Sequence, residues 1–420
     1  MRVHGLIIPP GDKSVSHRAL LVAAMTDGSC RLTGVLASHD TRATAAALRA
    51  MGVRVSQLTG TRAVTVHGGG LRPLQPPRKP ISCRNSGTTA RLLMGLVAAH
   101  RFRVRLTGDR SLSRRPMERV ASPLRTMGAR ITLAPGGRLP AVVEGAPLSP
   151  IRYASPVPSA QLKTALMLAG LAGGVQVTVN EPVISRDHTE RLLAFLGVRL
   201  LREGTGITLA PPARLPAFDG AVPGDISSAA YLVGAAVLAE EGELAVQAVG
   251  INPTRSGFLD ALERMGARLD FEDRDSTLGE PVATIVARPA RLRAIEVEPH
   301  DVPRMVDEIP LLACLAARAE GTSCFRGVGE LRVKESDRLA LIARNLTSLG
   351  VRAHSESDNL YVEGTDRPLR GRVVTEADHR LAMSFTVLGT APGCHIEVDN
   401  SRCVAVSYPG FHDDLARVLS

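Results

Sequence analysis

Leu262-Glu263-Arg264-Met265-Gly266-Ala267-Arg268-Leu269 closes an amphipathic helix on a glycine and runs directly into a strand. Glycine at that place reads as a helix C-cap, where the chain turns left-handed before it leaves the helix. The same phrase, Leu/Met-Gly-Val/Ala-Arg, stands at Met51-Gly52-Val53-Arg54, Met127-Gly128-Ala129-Arg130, Leu196-Gly197-Val198-Arg199 and Leu349-Gly350-Val351-Arg352, so it occurs five times. A second phrase alternates with it, a small-residue-rich apolar helix. It covers Ser14 to Met25, Ser86 to Ala99, Ser159 to Ala172, Ser227 to Glu240, Val306 to Ala319 and Asp378 to Ala391. These starts are spaced by about 70 to 80 residues, the mark of an internal repeat. Each unit then holds one buried helix, one surface helix and the strands between them.

Six buried helices against five glycine-capped ones leave one unit incomplete. The chain ends inside the missing helix, Gly410 to Ser420, and Val3 to Ile8 form a strand with no helix before it. The economical expectation is that the N-terminal strand completes the sixth unit, which puts both termini in one domain. We therefore expect a discontinuous domain of residues 1–11 and 224–420 with three repeats, and an inserted domain of residues 12–223 with three more. The crossings fall near Gly11-Asp12 and in the Pro/Gly-rich stretch Pro211 to Gly224. The fold class is α/β (α+β). A length of 420 residues suits two cores better than one.

Composition narrows the function. Hydrophobic residues make up 44% of the chain but aromatics only 3%, so the cores are built of Ala, Leu and Val. The net charge of +10 favours anionic partners. The arginines are dispersed, and four tyrosines and eight phenylalanines supply few stacking platforms, which argues against nucleic acid. Six cysteines, at 30, 83, 314, 324, 394 and 403, show no metal-ligand spacing and read as reduced residues of a cytoplasmic protein. Neither a signal peptide nor a membrane span is expected.

Only four of the 51 basic residues are lysines: Lys13, Lys79, Lys163 and Lys334. Lysine offers a compact charge that can release its proton, which arginine does not. Three of them lie in polar settings, GDKSVSHR (11 to 18), SAQLKT (159 to 164) and LRVKESDR (331 to 338). The buried helices open at Lys13-Ser14, Asn85-Ser86-Gly87-Thr88, Ser159-Ala160-Gln161 and Asp378-His379-Arg380, and a helix N-terminus attracts phosphate or carboxylate. Gly11-Asp12-Lys13-Ser14 is not a P-loop, because Asp12 stands where Walker A needs the glycine immediately before its lysine. Dinucleotide and zinc motifs are absent as well, so side chains must carry the chemistry without a metal or cofactor.

Together GDKSVSHRALLVAA (11 to 24), RNSGTTARLL (84 to 93), SAQLKTALMLAGL (159 to 171), SRDHTERLL (185 to 193), VDEIPLLACLA (306 to 316), RVKESDRL (332 to 339) and ADHRLAMSF (377 to 385) resemble the EPSP synthase (3-phosphoshikimate 1-carboxyvinyltransferase) family from end to end. That resemblance implies a two-domain inside-out α/β barrel closing on a cleft that holds the active site. It implies transfer of the enolpyruvyl group of phosphoenolpyruvate to the 5-hydroxyl of shikimate 3-phosphate, with release of phosphate. By the same resemblance Asp307 accepts the hydroxyl proton, Glu335 exchanges the proton at C3, and Lys13 lies between the substrates. Carboxylates and a lysine among several anions are expected to titrate as a coupled set. Shikimate 3-phosphate would touch Lys13, Ser14, Arg18, Ser159, Ala160, Gln161, Ser185, Asp307 and Lys334. Phosphoenolpyruvate would touch Lys13, Asn85, Gly87, Arg115, Gln161, Arg338 and Arg380, the last two as carboxylate forks.

The chain departs from the better-known members at four places. Ala160 replaces a second serine, His188 a tyrosine, Glu330 an asparagine and Val406 a lysine, and Lys163 is a candidate to compensate for Ala160. Glyphosate is a possible inhibitor because Gly87 leaves room beside the phosphoenolpyruvate pocket, and a monomer is expected. Three alternatives stay open: an enolpyruvyl transferase acting on UDP-N-acetylglucosamine, which Ser14 and Arg18 argue against; a basic nucleic-acid-binding protein; and an inactive scaffold.

Overall fold

The computed structural model describes residues 1–60 and 62–420, and the fold is mixed α/β. Twelve α-helices occur among the described residues: α1 (Lys13–Ala24), α2 (His39–Ala50), α3 (Gly87–Val97), α4 (Glu118–Thr126), α5 (Ala160–Gly173), α6 (His188–Phe195), α7 (Ile226–Leu238), α8 (Gly257–Arg264), α9 (Ile309–Ala316), α10 (Arg338–Ser348), α11 (His379–Gly389) and α12 (Phe411–Val418). The odd-numbered helices are the deeply buried ones, and all thirteen residues of α7 are inaccessible. The even-numbered ones carry one apolar face, as the alternation of the two sequence phrases requires. The five phrase glycines, Gly52, Gly128, Gly197, Gly266 and Gly350, have φ between +78° and +116°, the left-handed cap that their position implied.

The chain divides into two compact units, one of Gly11–Val222 with Thr277–Glu280, the other of Met1–Pro10, Pro223–Ser276 and Pro281–Ser420. The sequence division left 277–280 with the termini; the structure packs this hairpin tip with the 11–222 unit. Leu278, 2% exposed, belongs to that unit's apolar core, and the Glu280 carboxylate lies 2.8 Å from His188 Nδ1.

In the 11–222 unit three four-stranded sheets share one pattern. A central strand pairs in parallel on one side and antiparallel on the other, with a hairpin partner outermost. For example, Arg103–Thr107 pairs in parallel with Ile81–Ser82 and antiparallel with Arg138–Glu144, which pairs in turn with Arg130–Ala134. α1, α3 and α5 pack together in the core, and α3 meets α5 so closely that a Cβ on Gly95 would stand 2.1 Å from the Ala165 carbonyl oxygen. Only glycine permits that approach.

In the other unit, Thr322–Phe325 centres a sheet of the same pattern, and α7, α9 and α11 form the core. The expectation that the N-terminal strand completes the sixth unit does not hold. It breaks at Gly5, φ +100°, into Arg2–Val3 and Leu6–Ile7, which pair in parallel with Glu241–Gly242 and with Leu244–Gly250. The N-terminal strand thus supplies the parallel edge of the sheet that contains Leu244–Gly250. Arg370–Val373 and His395–Val398 form a separate two-stranded parallel sheet. Arg2 and Ser420 nevertheless exchange backbone hydrogen bonds of 2.8 and 2.9 Å, so the two ends of the chain are joined. No helix of the described residues is long and apolar enough to cross a membrane.

Candidate active site

In the 11–222 unit the starts of α1, α3 and α5 are stitched together by side chains. Asp12 caps α1, its Oδ1 accepting the Val15 N–H at 2.8 Å, so Lys13 and Ser14 are the first residues inside the helix. Ser86 caps α3 through the Thr89 N–H at 3.1 Å, and Ser159 caps α5 through the Leu162 N–H at 3.4 Å. A chain of hydroxyls joins α1 to α3: His17 Nδ1 to Thr44 at 2.7 Å, Thr44 to Thr89 at 2.7 Å, Thr89 to Ser86 at 2.8 Å. Arg18 joins α1 to α5, donating to Thr189 at 2.8 Å, Thr164 at 2.9 Å, and the carbonyls of Ser14 at 3.0 Å and Ala160 at 3.5 Å.

Burial explains the electrostatics of this corner. It pulls the His17 pKa down to about 3, aided by the positive charges of Lys13 and Arg18, so the ring is neutral. Burial also brings Arg18 down to about 10, with Glu190 opposing the fall. Lys13 Nζ lies 3.4 Å from Asp40 Oδ2 with 18% of its side chain exposed.

Asn85, Gly87, Arg115 and Gln161 come together around the start of α3. Arg115 Nη2 donates to Asn85 Oδ1 at 2.7 Å. Gln161 bridges α5 to α3, its Oε1 accepting from Arg91 Nη1 at 2.7 Å and its Nε2 donating to Thr88 at 3.0 Å. A Cβ on Gly87 would stand 3.0 Å from Arg91 Nη1 and 3.6 Å from Arg115 Nη1, so this glycine lies between two guanidinium groups at a helix N-terminus. That is a ready cradle for an anion. Arg91 escaped the sequence reading; its signal was the spacing, one helical turn after Gly87.

The other unit holds a second constellation, built at the starts of α7, α9, α10 and α11. Asp307, just before α9, faces three guanidinium groups: Arg338 Nη1 at 3.5 Å, Arg380 Nε at 3.6 Å and Arg255 Nη1 at 3.8 Å. Arg338 is 1% exposed and orders the group, with Nε 2.7 Å from Asp378 and Nη2 2.6 Å from Glu335. Burial works against its charge, yet Asp378 and Glu335 outweigh that penalty and raise its pKa above the usual arginine value. Asp378 is the mirror case: burial alone would raise it, but the Arg338 guanidinium holds it below the ordinary carboxylate range. Arg338 Nη1 makes no hydrogen bond. Glu308 binds the rest together, taking a hydrogen bond from the Ser227 hydroxyl and lying 3.5 Å from Arg255 and 3.7 Å from Arg380.

This arrangement pairs a carboxylate, Asp307, able to accept a proton with arginines able to hold a second anion. The geometry asks for an anionic substrate in both units. Residues 1–415 match the family model described as EPSP synthase (3-phosphoshikimate 1-carboxyvinyltransferase).

The chain belongs to the EPSP synthase family.

Among its relatives, the 3-phosphoshikimate 1-carboxyvinyltransferase of Synechococcus sp. (strain RCC307) is 46% identical, the match covering 99% of this chain and 97% of that protein. That of Gloeobacter violaceus is also 46% identical, over 99% of this chain and 97% of its own. The solved EPSP synthase of Acinetobacter baumannii superposes with a TM-score of 0.89 at 39% identity, covering 99% and 96% of the two chains. The enolpyruvyl transferase NikO of Streptomyces tendae, at 19% identity and a TM-score of 0.78, shares the fold.

Several residues where the chain departs from better-known family members are explained by packing. Lys163, 1% exposed, is held by Glu181 and Glu190, each 2.8 Å from its Nζ, so it does not offer its ammonium to a substrate in place of a serine at Ala160. His188 is likewise buried against Glu280. Lys334 donates to Glu330 Oε1 at 2.6 Å, which makes Glu330 its partner across one helical turn. Val406 ends the 3₁₀ turn Ser401–Val406, and nothing in the structure shows what takes the place of a lysine there. Ser185 directs its hydroxyl at Glu181, 2.9 Å away.

Proposed function

We propose that this chain performs the reaction for which its family is named, moving the enolpyruvyl group of phosphoenolpyruvate to the 5-hydroxyl of shikimate 3-phosphate. The observation that carries the reading is Asp307 among three arginines, with Glu335 on one of them. Asp307 takes the proton of the 5-hydroxyl as its oxygen bonds to C2 of phosphoenolpyruvate, and Glu335, which enters this step in its protonated form once Arg338 turns to the phosphoenolpyruvate carboxylate, delivers a proton to C3. A tetrahedral intermediate results. Glu335 then removes a C3 proton, the double bond re-forms, and phosphate leaves with the electrons of its bond to C2 and with the proton that Asp307 had taken.

The arginines make this sequence feasible. Arg338 and Arg380 receive the phosphoenolpyruvate carboxylate, while Lys13, Arg115 and the start of α3 at Gly87 receive its phosphate, with Asn85 and Gln161 as neighbours. Ser14, Arg18, Ser159, Ala160, Gln161, Ser185 and Lys334 serve shikimate 3-phosphate, and Lys13 serves both. We also assign the chain the six-repeat inside-out architecture with three repeats per domain, and a monomeric state. Six cysteines free of disulfides suit a cytoplasmic location.

The test mixes purified protein with phosphoenolpyruvate and shikimate 3-phosphate and follows phosphate release, with UDP-N-acetylglucosamine as the parallel acceptor. Release with shikimate 3-phosphate alone is the expected result. Release with UDP-N-acetylglucosamine alone, or with neither, refutes the assignment.

A further inference from the structure

A buried ionic cluster in the 11–222 unit adjoins two of the serines assigned to shikimate 3-phosphate. Glu181, 4% exposed, accepts the Ser159 N–H on Oε1 at 2.8 Å. Its Oε2 accepts from Lys163 Nζ at 2.8 Å, the Ser185 N–H at 3.2 Å and the Ser185 hydroxyl at 2.9 Å. Lys163 also donates to the Ser185 carbonyl at 3.4 Å and lies 2.8 Å from Glu190. One carboxylate therefore ties the first turn of α5 to the loop before α6.

The hydrogen bonds decide which way each serine presents its proton. A carboxylate only accepts, so the Ser185 hydroxyl must donate to Glu181. The Ser159 hydroxyl accepts the Leu162 N–H and so keeps its own proton for another acceptor. Glu181 reaches Ser159 through the backbone, which leaves that side chain at the positive end of α5, where a phosphate is favoured. A buried carboxylate beside a phosphate dianion would normally oppose binding. Lys163, 2.8 Å from both Glu181 and Glu190, offsets that objection together with Arg18, the second cation acting on Glu190.

We propose that Glu181, paired with Lys163, is a positioning residue that fixes the Ser159 turn, whose hydroxyl keeps its proton for a phosphate, against the Ser185 loop and thereby sets the preference for a phosphorylated over an unphosphorylated acceptor. The proposal rests on the assignment of those two serines to shikimate 3-phosphate.

The test compares binding of shikimate 3-phosphate and of shikimate, by calorimetry, to the wild-type chain and to Glu181→Gln. The variant keeps the size of the side chain but turns an amide nitrogen toward Lys163 or the serines. Its affinity for shikimate 3-phosphate falls at least tenfold, while the affinity for shikimate and the KM for phosphoenolpyruvate stay within threefold. Parallel losses for both acceptors mean a merely structural role and overturn the proposal, as does an unchanged ratio. A wild-type chain that does not distinguish the two acceptors removes the site assignment itself, and the proposal with it. Should Glu181→Gln not fold, Glu181→Asp keeps the charge that Lys163 needs while drawing the carboxylate back by one methylene. The same selective loss is expected there, and its absence is equally fatal.

Discussion

Replacing Arg338 by lysine tests the carboxylate network most directly. Arginine spends its fork on three partners: Nε on Asp378 at 2.7 Å, Nη2 on Glu335 at 2.6 Å, and Nη1 toward Asp307 at 3.5 Å. Lysine keeps the charge but brings one nitrogen, which cannot occupy three sites. Asp378, with a side chain of 0% exposure, has the strongest claim on it because a buried carboxylate without its cation is costly. The nitrogen that we assign to the phosphoenolpyruvate carboxylate is then the one lost. A hydrogen bond to a charged group contributes about 1.5 to 3 kcal/mol, which corresponds to a rise in KM for phosphoenolpyruvate of roughly 10- to 150-fold. The assay is steady-state phosphate release with each substrate varied in turn. The KM for shikimate 3-phosphate stays within about threefold, since Arg338 is not assigned to it. A KM for phosphoenolpyruvate within threefold of wild type, or equal rises for both substrates, would refute the reasoning.

Three further outcomes are expected. Lys13→Arg folds normally but loses activity by orders of magnitude, because the larger planar group does not fit beside Asp40 and two substrates; near-normal turnover would return Lys13 to a helix-end charge. Gly87→Ala puts a methyl 3.0 Å from Arg91 Nη1, so inhibition by glyphosate weakens more than the KM for phosphoenolpyruvate rises, and equal changes in the two would defeat the steric account. His17 has a folded-state pKa lowered to about 3 from 6.5, so its contribution to stability is complete above pH 6.5 and is lost as pH falls toward 3. Over that window His17 adds a slope of about 1.4 kcal/mol per pH unit, and urea midpoints of a His17→Gln variant should show a correspondingly flatter pH dependence than wild type.

Much of the architecture could be read from local pattern. The glycine of each Leu/Met-Gly-Val/Ala-Arg phrase has to adopt positive φ, and the alternation of small-residue helices with amphipathic ones implies which helices are buried. Helix starts were legible for the same reason, since Ser86, Ser159 and Asp378 satisfy backbone donors a few residues away. Strand partners are a different matter. The strand Leu6–Ile7 carries no mark that it joins Leu244–Gly250, and Leu278 carries none that it belongs to the core of the 11–222 unit.

The site divides along the same line. Sequence alone determined which residue types stand at which helix starts, because capping and the helix dipole act within one turn. Only the tertiary structure decided that Lys163 faces Glu181 and Glu190, that Arg91 reaches Gln161, and that Asp307 meets Arg255, Arg338 and Arg380. Partners 52 to 73 residues apart, such as Asp307 with Arg255 and Arg380 or Arg91 with Gln161, are chosen by packing. A charge that leaves water must be met by another charge or a hydrogen bond, and the folded core sets which one is within reach.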